Sequence, residues 1–101
     1  MTNHESSETH KFVSFKDTME KLHLNVQDLS KFINPDSGVH NGGIPYFSEI
    51  RKEGDAYDSD NPNSSFKIHS DDIKLFITKW LEYKKKTDPI HFSDKKLEDY
   101  L

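Results

Sequence analysis

The stretch that decides the fold is FKIHSDDIKLFITKWL, residues 66–81. Phe66 and Ile68 alternate with polar residues, and this period of two predicts a strand over 65–69. Ser70 follows as the predicted cap of a helix, because its hydroxyl can accept an exposed backbone N–H. Apolar residues at helical spacing then predict a long amphipathic helix with an inner face made of Ile73, Phe76, Ile77, Trp80 and Leu81. This run therefore predicts a strand that leads directly into a helix covering a core.

Ahead of this run, two short helices are predicted, each with a polar cap and an acid three residues later. The first begins at Ser14 and ends near Leu22; the second follows Asn25 and is stopped by Pro35, which cannot continue a helix. Two capped helices separated by about three residues favour a helix-turn-helix, although any helical hairpin has the same pattern. Their apolar faces consist of Phe15, Met19, Leu22, Val26, Leu29, Phe32 and Ile33.

The middle of the chain predicts a two-stranded antiparallel wing. After a glycine-rich loop, residues 44–50 are apolar or aromatic at several positions and predict its first strand. Pro45 indicates that this strand begins late or lies at an edge. Residues 51–64 are polar and acidic without apolar periodicity, so they predict a long loop of the kind that is often mobile or functional. The strand over 65–69 completes the wing.

The predicted fold class is α+β: two short helices, the wing and a long closing helix. Residues 1–11 are predicted to be a disordered tail because they have almost no apolar residues. Residues 12–86 form the predicted domain. Residues 87–101 form a C-terminal extension, in which Ser93 can cap a short helix.

Composition excludes several classes of function. The 101 residues contain no cysteine, which excludes disulfides, thiolate metal sites and cysteine nucleophiles. No apolar run approaches the roughly 20 residues of a membrane span, and the polar start has no signal-peptide core, so we expect a cytoplasmic protein without a membrane partner. The net charge is −4, but residues 66–86 carry six lysines against three acids. Any positive surface is therefore expected on the helical parts.

The order helix, turn, helix, strand, long loop, strand, helix resembles the excisionase and MerR-type winged helix-turn-helix family. The matching pieces are SFKDTMEKLHL (14–24), NVQDLSKFI (25–33), GGIPYF (42–47) and the run at 66–81. The resemblance covers residues 13–83 and extends to the DNA-binding module of phage small terminase subunits. It implies a small DNA-binding protein, such as an excisionase-like factor or a phage or mobile-element regulator, with double-stranded DNA as its partner.

By this resemblance, the second helix would lie in the major groove and the loop between the strands would be the wing. Outward positions of the second helix are Asn25, Gln27, Ser30 and Lys31. Asn and Gln can bind adenine edges, and Lys can reach phosphate or guanine. The candidate DNA contacts of the wing are Arg51, Lys52 and Lys67.

An alternative partner follows from the acids of the wing loop. Near DNA these side chains would oppose phosphate contact, since affinity grows with the number of phosphates that cations neutralise. The alternative is a winged-helix module that binds protein, such as a phage or mobile-element inhibitor. Its acidic loop would contact a basic surface of the partner. The candidate residues for that function are Glu53, Asp55, Asp58 and Asp60.

Patterns for catalysis or metal binding are not found in the sequence. No two of the six histidines stand four residues apart on a predicted helix or form an H-E-x-x-H motif. Asp55, Asp58 and Asp60 faintly resemble a calcium loop, but the later Gly and terminal Glu of that pattern do not follow. Neither a nucleophile elbow nor a Gly-rich phosphate loop is present. We therefore expect no enzymatic activity, no cofactor and no metal.

Overall fold

Helices and a small sheet enclose one core in the computed structural model of the chain, which describes residues 11–35, 43–58, 60–61 and 65–101. The described part is an α+β fold. Its helices are α1 (Phe15–Lys21), α2 (Val26–Ile33), α3 (Ile73–Thr87) and α4 (Pro89–Phe92). Its strands are β1 (Phe12–Ser14), β2 (Lys52–Glu53) and β3 (Lys67–His69), and 3₁₀ turns cover Ser70–Asp72 and Leu97–Asp99.

The two short helices and their caps are confirmed. The Ser14 hydroxyl accepts the Asp17 N–H at 3.2 Å, and the Asn25 side chain accepts the Asp28 N–H at 3.0 Å. Each bond satisfies one of the N–H groups that a helix start leaves without an intrahelical partner. Local sequence therefore determines where α1 and α2 begin.

A left-handed residue joins α1 to α2. His23 has φ +62°, a conformation in which Gly is the usual residue. Its N–H donates to the Glu20 carbonyl at 3.0 Å, and the Leu24 N–H donates to the Met19 carbonyl at 2.9 Å. These two bonds form a Schellman motif, which closes α1 and turns the chain into α2 within four residues.

The sheet is antiparallel, and β3 lies between β1 and β2. The strand predicted over 65–69 is confirmed at Lys67–His69, which form β3. In the register, Val13 and Lys52 both stand opposite Ile68. β1 was not predicted, because three residues between the tail and α1 carry no recognisable alternation.

The strand predicted over 44–50 is wrong. These residues form turns: the Ile50 N–H donates to the Phe47 carbonyl at 3.3 Å, while the Phe47 N–H donates to the Phe32 carbonyl at 2.8 Å. Phe47 and Ile50 are both buried, and their spacing of three fits a turn, whereas a strand would place them on opposite faces. The partner of β3 is instead the two-residue β2.

The loop after β2 is tied to the rest of the fold. Gly54 has φ +85°, and an added Cβ would stand 2.5 Å from the Ser65 carbonyl oxygen. Only glycine fits where these two backbone segments pass so close to each other. Further along, the Asn34 side-chain amide donates to the Tyr57 carbonyl at 2.9 Å and accepts the Tyr57 N–H at 3.1 Å. The Tyr57 ring meets Phe15 edge-on at 5.6 Å. The long polar loop predicted over 51–64 is therefore attached to the core at Tyr57.

The closing helix is confirmed, but its cap is not Ser70. Ser70 lies inside a 3₁₀ turn, and the His69 ring Nδ1 accepts the Asp71 N–H at 3.1 Å. The helix α3 then runs 15 residues to Thr87. Its inner face supplies Phe76, Ile77, Trp80 and Leu81 to a core that also contains Phe15, Met19, Leu29, Phe32, Ile33, Phe47, Ile50, Phe66 and Ile68.

The C-terminal residues fold back onto α3. The extension contains a short helix, α4, but the predicted role of Ser93 is wrong, because Ser93 ends this helix and does not cap one. The residues after it form the 3₁₀ turn at Leu97–Asp99. Phe92 and Tyr100 are half-buried and meet the Trp80 ring edge-on at 5.6 and 5.7 Å. The tail expected over residues 1–11 and the glycine-rich loop lie, apart from Lys11 and Gly43, outside the described residues. No helix in the described ranges is long and apolar enough to cross a membrane.

Candidate macromolecule-binding surface

The outward face of α2 presents Gln27 and Lys31. The two residues are four apart, so they lie on the same side of the helix. Both are exposed, and neither side chain forms a hydrogen bond or an ion pair with any described residue. This pair is therefore available to a partner.

Two other candidates on α2 support the protein's own backbone. The Asn25 side chain caps the helix, as described above. The Ser30 hydroxyl donates to the Gln27 carbonyl at 2.8 Å. Two of the four predicted contact residues of α2 therefore use a side-chain oxygen in hydrogen bonds within the protein.

Asp28 links α2 to α3. Its carboxylate accepts the indole N–H of Trp80 at 3.1 Å and lies 3.2 Å from the Lys84 ammonium group. From the sequence, Asp28 was recognised only as the acid in the first turn of α2. Its contacts with Trp80 and Lys84 could not be predicted, because these residues are 52 and 56 positions away. Lys84 thus compensates the charge of a carboxylate that would otherwise oppose an anion near α2.

Arg51, a candidate DNA contact, is held by Asp72. Its Nε and Nη2 atoms each donate to that carboxylate at 2.9 Å, and its backbone N–H donates at 2.8 Å. These hydrogen bonds hold the pKa of the Asp72 carboxyl at about 2, below its ordinary value of 3.8. Arg51 therefore joins β2 to the start of α3.

The other two wing cations differ from each other. The Lys52 ammonium donates to the Ile50 carbonyl at 2.6 Å and lies 5.2 Å from the centre of the Tyr46 ring. Lys67 is exposed on the opposite face of the sheet, where the register places it beside Glu53. The structure does not bring the predicted wing cations together.

The acids of the wing loop are exposed. Glu53, Asp55, Asp58 and Asp60 all lie on the surface, and none forms an ion pair with another part of the described chain. Asp58 accepts the Asp60 N–H at 2.9 Å, which bends the loop locally. The wing therefore carries these four negative charges against the positive charges of Lys52 and Lys67, while Arg51 is paired with Asp72.

A groove of about 690 Å³ separates α2 from the C-terminal residues 91–100. The structure alone reveals it, since its walls come from three distant parts of the sequence. The aromatic residues after Pro89 were the only sequence sign that this segment packs on the domain. The groove is lined by His23, Leu24, Asn25, Gln27, Asp28, Lys31, Trp80, His91, Phe92, Lys95 and Tyr100.

The charges of this groove are mainly positive. Lys31 stands on one wall and Lys95 on the other, and neither side chain has a hydrogen-bond or ion-pair partner in the described part of the chain. His23 and His91 add two imidazole rings, of which His91 contacts Asp88 at 2.9 Å. Because Lys84 compensates Asp28, the groove is suited to an anionic ligand.

Among the described residues, no group of three or more His, Cys, Asp or Glu side chains could hold a metal ion. Comparison of the chain with protein-family models, with curated proteins and with solved structures gave no significant match.

Proposed function

We propose that this protein is a small winged helix-turn-helix module that binds double-stranded DNA through α2. The observation that carries the proposal is the exposed pair Gln27 and Lys31 on one face of this helix. A glutamine amide can bind an adenine edge with two hydrogen bonds, and a lysine can reach guanine or a phosphate. Lys95 and His91 stand beside the same helix across the groove.

The order and pairing of the helices and strands support the proposal of a winged helix-turn-helix fold. α1 and α2 are joined by a tight turn, and β2 and β3 pair through a loop before α3 closes the core. In such modules the second helix enters the major groove. The wing contributes little attraction here, because Arg51 and Lys52 bind within the protein and the loop is acidic.

The test is a salt titration of binding to duplex DNA of random sequence. Affinity should fall as salt rises, since bound phosphates release counterions. Lys31→Ala should weaken binding, and if Lys31 contacts a phosphate it should lower the salt slope by about one unit. Lys74→Ala is the matched control, because Lys74 lines a different pocket with Leu97 and Leu101. No affinity at about 50 mM salt would overturn the proposal, since even non-specific phosphate binding should be visible there.

A second function is favoured by the four exposed acids of the wing loop: binding of a basic protein surface. Replacing Asp55, Asp58 and Asp60 together by Asn separates the two functions. With DNA as the partner, this change should strengthen binding by removing repulsion from phosphates. With a basic protein as the partner, it should slow association and reduce its salt dependence, since complementary charge mainly steers encounter.

A further inference from the structure

We propose that the groove between α2 and the C-terminal residues 91–100 binds the phosphodiester backbone of one DNA strand, with Lys31 and Lys95 contacting phosphates from opposite walls. The inference rests on the proposed function and extends it to a segment outside the region that resembles winged helices. It makes the C-terminal residues part of the DNA-binding surface.

Both walls of the groove contact the same side chain, Trp80. On one side, Asp28 of α2 accepts the indole N–H of Trp80. On the other side, Phe92 and Tyr100 pack edge-on against the Trp80 ring. Because Trp80 joins both walls, the backbone segments that carry Lys31 and Lys95 are held in place before any ligand binds, and this reduces the entropy lost on binding.

The charges in the groove favour a phosphate chain. The side chains of Lys31 and Lys95 form no hydrogen bond or ion pair with the residues of the described ranges, whereas Asp28, the acid among the residues that line the groove, is paired. Asp28 contacts Lys84 at 3.2 Å, and Asp88 contacts the His91 ring at 2.9 Å. An anionic strand entering the groove would therefore meet cations whose charge is not already compensated.

An acidic peptide is the other polyanion to consider, and two features favour DNA over it. Trp80, at the floor of the groove, is only 4% exposed, so its ring is not available as a pocket for an apolar anchor, on which peptide interfaces depend. The groove also adjoins the face that presents Gln27 and Lys31. A helix seated in a major groove has a phosphate backbone on each side, and the groove lies where one of them would pass.

The experiment measures binding of the full chain to short duplex DNA of random sequence over a range of salt concentrations. Lys95→Ala should lower the salt slope by about one unit, as expected for one lost phosphate contact. Lys95→Arg should retain the parent slope, because Arg also neutralises a phosphate. Lys74→Ala, in the other pocket, should leave it unchanged. Trp80 fluorescence checks that each variant folds as the parent does.

Two further results separate this inference from the function on which it rests. If the parent binds DNA and Lys31→Ala weakens binding, but Lys95→Ala keeps the parent slope, the groove inference is overturned and the proposed function stands. Titration with a poly-glutamate peptide, followed through the amide resonances of His91 and Lys95, tests the other ligand. Shifts with the peptide but none with DNA would overturn the inference in favour of an acidic protein partner.

Discussion

At the scale of single residues, Asp72 connects β2 to the start of α3. It is 8% exposed, and its carboxylate accepts three hydrogen bonds from Arg51. These bonds stabilise the charged form, which is why the folded pKa lies at about 2, against an ordinary value of 3.8. A depressed pKa adds stability above the ordinary value, and this stability is lost as pH falls from near 4 towards 2.

Asp72→Asn should therefore lower the free energy of unfolding by about 2 kcal/mol at neutral pH, the equivalent of this pKa difference. The gap between parent and variant should narrow as pH falls from near 4 to near 2. Urea unfolding at several pH values measures both effects. Asp71→Asn is the control, because Asp71 is exposed and its pair with Lys11 lies at the surface, where such pairs contribute little. A gap that stays constant with pH would show that the charge of Asp72 is not what stabilises the fold.

At the scale of elements, one side chain joins the end of α2 to the wing loop. Asn34 exchanges two hydrogen bonds with the backbone of Tyr57, and the Tyr57 ring packs on Phe15. The absence of apolar periodicity over 51–64 predicts rapid amide exchange at the tip of this loop. The structure instead predicts a protected N–H at Tyr57, between exposed neighbours at Ala56 and Asp58.

Asn34→Ala should release this connection. Each hydrogen bond contributes about 1 kcal/mol, so the Tyr57 amide should exchange roughly tenfold faster or more, while α3 keeps its protection. Hydrogen exchange followed by NMR reports both sites. Asn34→Asp is a graded control, since its carboxylate can still accept the Tyr57 N–H but cannot donate to the carbonyl. Unchanged exchange at Tyr57 in Asn34→Ala would show that the ring contact alone holds the loop.

At the scale of the whole molecule, Trp80 joins α2, α3 and the C-terminal residues. It is the only tryptophan, so its fluorescence reports directly on this junction. Phe92→Ala removes one of the two rings that cover it and should shift the emission to longer wavelength. Unfolding should become easier by about 1–3 kcal/mol, below the range for a fully buried Phe because Phe92 is only half-buried.

The control for this change is Ile90→Ala. Ile90 lies in the same short helix but is 88% exposed, so its removal should alter neither the emission nor the unfolding free energy. If Phe92→Ala leaves both unchanged as well, the C-terminal residues do not pack on Trp80 in solution. The groove would then lack its second wall.

The sequence by itself determined the elements whose signals are local. The starts of α1 and α2 follow from caps that bond to an N–H three residues later, and the face of α3 follows from apolar spacing over 66–81. The outward positions of Gln27 and Lys31 follow from the same periodicity. Such features need no knowledge of distant residues, and the structure confirms the helices.

Only the tertiary structure decided where the short strands form and which candidate site residues are bound within the protein or exposed to a partner. β1 and β2 have three and two residues, too few to show a period, and they exist because β3 offers hydrogen bonds on both edges. Whether Arg51 faces a ligand or Asp72, 21 residues away, depends on how β2 meets α3. The groove likewise needs α2, Trp80 and the C-terminal residues in one place. These outcomes depend on contacts between distant residues, because only the packing of the folded chain determines which side chains meet.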